Sequence, residues 1–316
     1  MFYEYALDPA LLTNWKDFRY LVEKFGWEQG RLIARYPRKW KRLVYDLLTN
    51  CRELERKRIE ERLTQIDDKI IKRNEAIPFD NNKSWLENSL LEHHRKPFRA
   101  ILSKNFYENH EFILNGEDID ETVELWKAPN EPAPKNAHEI TSKLALLLSS
   151  SKRILIIDRN FKPNEERFRK VLEFILKLSL DQDQIITELH TSIERFFYHG
   201  DEKTKSEEER VYNNLRYELE KHLPLKIPHG KKLTVFLWKK REQGERIHNR
   251  YILTDRWGVA FGDSLDESDN IFETDDIHRL SEDIYQERWQ QYTSENPAFE
   301  LVDQPIEIIG KSILKN

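Results

Sequence analysis

A chain of 316 residues, 34% charged and 38% apolar with a net charge of −5, has room for two packed regions at ~150 residues per domain, and its 8 Trp, 12 Tyr and 16 Phe exclude a disordered polymer. The single cysteine, Cys51, excludes an internal disulfide framework and a cysteine-based zinc site, and fits a reducing compartment. No run approaches the ~18 apolar residues of a membrane span, and the opening MFYEYALDPALLTNW lacks a basic region and a small-residue cleavage site, so a soluble cytoplasmic protein is expected.

The first half reads as helices. Its segment RLIARYPRKWKR (31–42) holds six basic residues and no acidic one, with two aromatics interleaved. On one reading Arg31, Arg35, Arg38, Lys39, Lys41 and Arg42 contact phosphates and release counterions while Tyr36 and Trp40 stack on bases. On the other, the segment is a helical hairpin broken at Pro37 with its aromatics in the core. In RELERKRIEERLTQIDDKIIKR, Ile59, Leu63, Ile66 and Ile70 recur at helical spacing, which predicts a narrow apolar stripe on a charged helix. The pattern breaks at Pro78 and restarts after an Asn/Ser cap signal. The prolines of KAPNEPAPKN (127–136) favour an extended linker, so residues 1–130 are expected to form an all-α domain, 131–137 a linker and 138–316 a second domain.

Beyond the linker, strands alternate with helices. Residues 138–149 read as a helix and KRILIID (152–158) as a buried strand. A helix follows with Phe168, Val171, Leu172, Ile175 and Leu176 on one face, then QIITEL (184–189) as a second strand. The charged insert 201–210 leads into a helix carrying Val211, Leu215 and Leu219. KLTVFLW (232–238), IHNRYILT (247–254) and GVAF (258–261) follow as strands, with IEIIGKSIL (306–314) as an edge strand. The pattern predicts a mixed α/β sheet flanked by helices.

One constellation in this half carries chemistry. On a strand, His248 and Arg250 would share a face; Asp255 stands at the strand's end, and Gly262-Asp263-Ser264 follows the next strand. An imidazole beside a planar guanidinium and a glycine turn with free backbone donors suits a phosphate ester: the cation binds non-bridging oxygens, and the imidazole attacks phosphorus or protonates a leaving oxygen.

These residues resemble the phospholipase D-like, or HKD, superfamily, whose motif is His-x-Lys, four residues, Asp, six residues, then Gly-Ser or Gly-Gly. His248, Asp255 and Gly262 match it in identity and spacing, and the upstream order of helix, strand, loop, helix and strand is similar. The resemblance covers about 138–316 and implies a metal-independent phosphodiesterase fold with no cofactor. It makes His248 the nucleophile of a phosphohistidine, Asp255 an orienting residue, and Arg250 the phosphate ligand in the lysine's place. Asp263 stands where the family has serine or glycine; a carboxylate there repels a phosphate unless turned away or paired, and Ser264 takes the serine's role if the turn shifts by one. The arginine variant also resembles proteins of bacterial defence type, which suggests antiviral defence.

The family's site needs two histidine motifs, and no other histidine in this chain fits one. The resemblance therefore implies a homodimer in which two copies of His248 face each other. The expected activity is a nuclease on DNA or RNA, with residues 31–42 bringing the nucleic acid or the helical half docking a partner protein, and no membrane involved. The alternative is a catalytically inactive phospholipase D-like scaffold within a multi-protein complex. The run DSLDESDNIFETDD (263–276), with seven acids and no base, is expected to be a solvated, mobile loop shielding the phosphate pocket.

Overall fold

The computed structural model describes residues 1–316 except 106–109, 117–118, 121, 179–184, 198–203 and 313–316, so Gln184, residues 201–203 of the charged insert and the end of the expected edge strand at 313–314 lie outside the described residues. The chain divides into two compact units, Met1–Pro129 and Asn130–Asn316. Among the described residues no helix is long and apolar enough to cross a membrane.

The first unit runs β1 (Tyr3–Leu7), α1 (Trp15–Glu23), β2 (Arg31–Arg35), α2 (Trp40–Leu47), α3 (Glu53–Gln65), β3 (Ile70–Lys72), α4 (Trp85–Arg95), β4 (Ala100–Ser103) and β5 (Ile113–Asn115). Its strands form a parallel sheet in the order β3-β2-β1-β4-β5. Alternate strand residues feed two cores. Tyr5, Leu7, Ile33, Ala100 and Leu102 meet Phe18, Trp40, Val44, Ile59 and Leu63, whereas Ala6, Ala34 and Ile101 meet Leu86 and Phe98. The unit is therefore α/β, which corrects the all-α expectation. A parallel sheet is covered on both faces, so its strands read as short apolar runs such as RLIAR without alternation, and long charged helices outweigh them in the sequence. The helix over 53–65 also ends before the expected stripe does: Ile59, Leu63 and Ile66 are buried, but Ile70 opens β3. The cap signal after Pro78 is Ser84, which forms a capping box with Glu87 at the start of α4.

The second unit runs β6 (Pro132–Pro134), α5 (Ala137–Ser150), β7 (Arg153–Ile157), α6 (Glu166–Leu178), β8 (Ile186–Ser192), α7 (Lys205–His222), β9 (Lys232–Lys239), β10 (Arg250–Thr254), β11 (Gly258–Phe261), β12 (Thr274–Arg279), α8 (Glu282–Thr293), β13 (Glu300–Leu301) and β14 (Ile306–Ile309). The sheet order is β13-β9-β8-β7-β10-β11-β12-β6, with β14 also on β9. Strands β7, β8 and β9 are parallel, and β10 returns antiparallel on the other side of β7. The prolines expected in a linker instead form the edge strand β6, paired with β12. An edge suits them because proline cannot donate to a ladder on both sides.

Because strand order reverses at β7, the carboxyl ends of β7 and β8, the entry of β10 and the exit of β11 meet at one end of the sheet. Such an end is the usual ligand crevice of an open α/β sheet.

Candidate functional site

Four arginines gather at this end. Arg159 follows β7, Arg195 follows β8, and Arg246 and Arg250 stand before and at the start of β10. Burial pulls the Arg159 guanidinium below its ordinary pKa, and the charges of Arg195, Arg250 and Arg246 pull it the same way, against Asp158. The Nε atoms of Arg159 and Arg250 are buried without a hydrogen-bond partner, as are Asn160 Oδ1 and Thr191 Oγ1. A buried donor left unpaired costs about 1–3 kcal/mol, so this rim stands ready for an anionic acceptor.

His248 lies two residues before β10 and is exposed, so it does not share a strand face with Arg250 as expected. Its ring is oriented from the strand. Asn249 Nδ2 donates to the Tyr251 hydroxyl at 2.7 Å, which turns Asn249 Oδ1 toward His248 Nδ1 at 3.4 Å. In that contact Nδ1 faces a carboxamide oxygen, which can only accept, and Nε2 is the ring nitrogen turned away from it.

Gly262 and Ser264 reach the same end. Asn160 Nδ2 donates to Ser264 Oγ at 2.8 Å, and the Leu265 amide donates to Asp158 at 2.8 Å. The turn does not offer the free donors expected of it: Gly262 N–H donates to Asp276 O, and Asp263 N–H to Asp275 Oδ1, both at 3.1 Å. A side chain at Gly262 would crowd that Asp275 oxygen at 3.0 Å. Unpaired donors for an anion at this end therefore come from the arginines.

Asp255 is separated from this group. It stands beyond the far end of β10, about 17 Å from Arg250 at ~3.4 Å per residue. There its carboxylate accepts from the amides of Lys152 and Arg153 at 2.7 and 3.0 Å. It ties the start of β7 to the β10 turn and does not orient His248.

Basic side chains brace the acidic run 263–276, whose last residues, 274–276, open β12 rather than a loop. Lys135, from the segment expected to be a linker, is buried, with Nζ 2.7 Å from Asp263 and 3.1 Å from Asp266 Oδ1, the second an ion pair without hydrogen-bond alignment. Burial disfavours its charge, but these two carboxylates outweigh that and raise its pKa. Lys135 in turn holds Asp263 below the usual carboxylate range, so this carboxylate is paired rather than opposed to a phosphate. Arg167 meets Asp266 at 2.7 Å and Lys170 meets Glu267 at 2.5 Å. Among the described residues no group of three or more His, Cys, Asp or Glu side chains is placed to hold a metal ion.

Asp158, fully buried beneath the rim, is pushed up to about 6, chiefly by burial, while amide hydrogen bonds from Asn160 and Leu265 and the charge of Arg250 pull it down. Above that value it is an anion under the arginines; below it the carboxyl is neutral and the arginines keep their charge. The affinity for a phosphodiester, whose own charge is constant from pH 5 to 7, is therefore expected to rise about three- to tenfold as pH falls from 7 to 5. The rise should shrink in Asp158→Asn, and calorimetric titration with a dinucleoside monophosphate reads it; a rise equal to the wild-type one in that variant would remove Asp158 from the site.

The basic segment 31–42 does not form the expected stacking surface. Trp40 is buried with Nε1 donating to Leu7 O at 2.7 Å, and Tyr36 is buried with its hydroxyl on Asn88 O at 3.0 Å. Arg31 is buried as well, donating to Lys24 O and Trp126 O and lying 4.5 Å over the Trp126 ring. Lys41 is held by Leu63 O and Asp67, and Arg42 by Asp46. Only Arg35, Arg38, Lys39 and Arg42 remain exposed, because β2 enters a two-sided core and carries its aromatic neighbours with it.

Arg159, Arg195 and Arg246 escape a motif search because three separate segments bring them together. The available signal was position: each flanks a strand at the crevice end, immediately after KRILIID in the case of Arg159.

No protein-family model matches the chain, and no curated protein matches it. Among solved structures it is similar to TrmBL2, an archaeal chromatin protein whose structure shows a novel mode of DNA binding, at 13% identity and a TM-score of 0.24. The match covers 54% of this chain and 53% of that one, so the chain spans about half the length of that protein, and the likeness is too slight to carry an argument.

Proposed function

We propose that the second unit is a phospholipase D-like phosphodiesterase that cleaves nucleic acid without a metal and works as a homodimer. The observation that carries this reading is the rim of four arginines, two with unpaired buried Nε donors, beside an exposed His248 whose Nδ1 faces Asn249 Oδ1. The arginines take the non-bridging oxygens. His248 Nε2 attacks phosphorus; the P–N bond forms as the P–O bond to the leaving group breaks, and the partner subunit's His248 supplies the proton to that oxygen. Water then attacks the phosphohistidine and gives its proton to the same partner imidazole; the P–N bond breaks and both histidines are restored.

Digestion of labelled DNA and RNA in excess chelator tests this. Cleavage should persist, and the rate per chain should fall on dilution as dimers dissociate. Full activity in a monomer would sink the two-histidine mechanism.

One observation favours a second reading, a binding or scaffold subunit. The partner that orients His248 is an amide at 3.4 Å rather than a carboxylate, and Asp255 lies at the other end of β10. Binding of nucleic acid without any cleavage would favour it.

A further inference from the structure

We propose that the cleft between α7 and the loop after β7 receives one unpaired nucleobase, so that the strand bound by the arginine rim is single-stranded; this rests on the phosphate-binding reading of that rim. The cleft has a volume of ≈ 160 Å³. A cavity of about 150 Å³ admits a benzene ring, so this one suits a single aromatic ring system rather than a peptide segment. Pro163, Phe196, Val211 and Leu215 supply apolar walls, Asn164 and Asn214 supply carboxamides, and the charged Arg210 and Glu218 complete the lining. Val211, Asn214 and Leu215 share one face of α7 by their helical spacing. Neither carboxamide has a hydrogen-bond partner among the described residues, so each can offer a donor and an acceptor to a base edge.

Two segments connect the cleft to the rim along the chain. Pro163 and Asn164 lie on the loop that carries Arg159, and Phe196 directly follows Arg195 in the chain. A phosphate on these arginines therefore presents its neighbouring base to Phe196, which offers a ring for stacking. A base within a duplex is paired and stacked, and reaching the cleft would require extruding it.

The test uses the full chain carrying His248→Asn, so that nothing is cut, and fluorescence anisotropy at one fixed salt concentration. The probes are a labelled single-stranded oligonucleotide, its duplex, and an abasic strand of equal length. The single strand should bind about tenfold more tightly than either other probe, the scale expected of one base–aromatic stack. Adding Phe196→Ala or Asn214→Ala should bring single-strand affinity down toward that of the abasic strand and leave abasic binding unchanged. Asn214 is exposed, so its substitution spares the fold. Arg250→Ala should weaken all three probes. Single-strand binding unaltered by both pocket variants but weakened by Arg250→Ala would overturn the pocket and leave the phosphate rim standing. Equal affinity for single strand and duplex would also overturn it. If Arg250→Ala changes none of the probes, the rim falls and the pocket with it.

Discussion

Replacing His248 with asparagine is expected to lower chelator-resistant cleavage by at least about a thousandfold while leaving binding of the intact strand nearly unchanged. The carboxamide keeps the side chain's polarity near Asn249 but has no lone pair able to attack phosphorus. The neighbouring Asn249→Ala should lose less, because it frees the ring to rotate without removing the nucleophile; among the described residues the ring is anchored by the link through Asn249 to Tyr251. Mixed dimers sharpen the result. If one histidine attacks and the other protonates, a wild-type chain paired with a His248→Asn chain is silent, and excess variant chain suppresses wild-type activity nearly to zero. Two independent sites would instead retain about half the activity per mixed dimer. Retained cleavage in the variant itself would remove His248 from the chemistry altogether.

Replacing Glu92 with alanine is expected to destabilise the first unit by about 3–5 kcal/mol, the scale for breaking one side of a buried ion pair. The side chains of Arg73 and Glu92 are fully buried, 2.9 Å apart, and Arg73 also meets Glu4 at 2.7 Å. Arg73 donates besides to Lys96 O and lies 3.9 Å over the Phe98 ring. Glu92 additionally accepts the amides of Ala76 at 2.9 Å and Ile77 at 3.0 Å. Truncating it leaves a buried cation short of a counter-charge and two backbone donors unmatched, which no local rearrangement of an alanine repairs. Glu92→Gln should cost less, since an amide oxygen still accepts one set of these bonds. Urea unfolding measures the difference, and a loss below about 1 kcal/mol for Glu92→Ala would mean that water reaches Arg73.

The two halves of the chain were unequally legible. In the second unit, the strands at 153–157, 232–239 and 258–261 and the buried face of α6 follow from apolar run length and periodicity, and the structure places them within a residue or two of the reading. In the first unit the helices dominate the pattern. Tyr3–Leu7, Arg31–Arg35 and Ala100–Ser103 are strands only because both their faces are covered by segments distant in the chain. Trp40 shows the same dependence: in its basic segment it reads equally as a base platform or a core aromatic, and the choice is made by a carbonyl of β1, far away in sequence, that satisfies its indole N–H.

The candidate site divides along the same line. By itself the sequence determined that a histidine and an arginine stand at a strand's entry and that a glycine turn follows the next strand, because these lie within one hairpin and local spacing governs them. Only the tertiary structure decided that Asp255 belongs to the opposite end, that Lys135 pairs with Asp263 and Asp266 of the acidic run, and that Arg159, Arg195 and Arg246 join Arg250. The reason is physical. Spacing along one strand is set by covalent geometry, whereas the meeting of four like charges is set by the parallel order of β7, β8 and β9 and the reversal at β10. No local segment of the chain encodes that order.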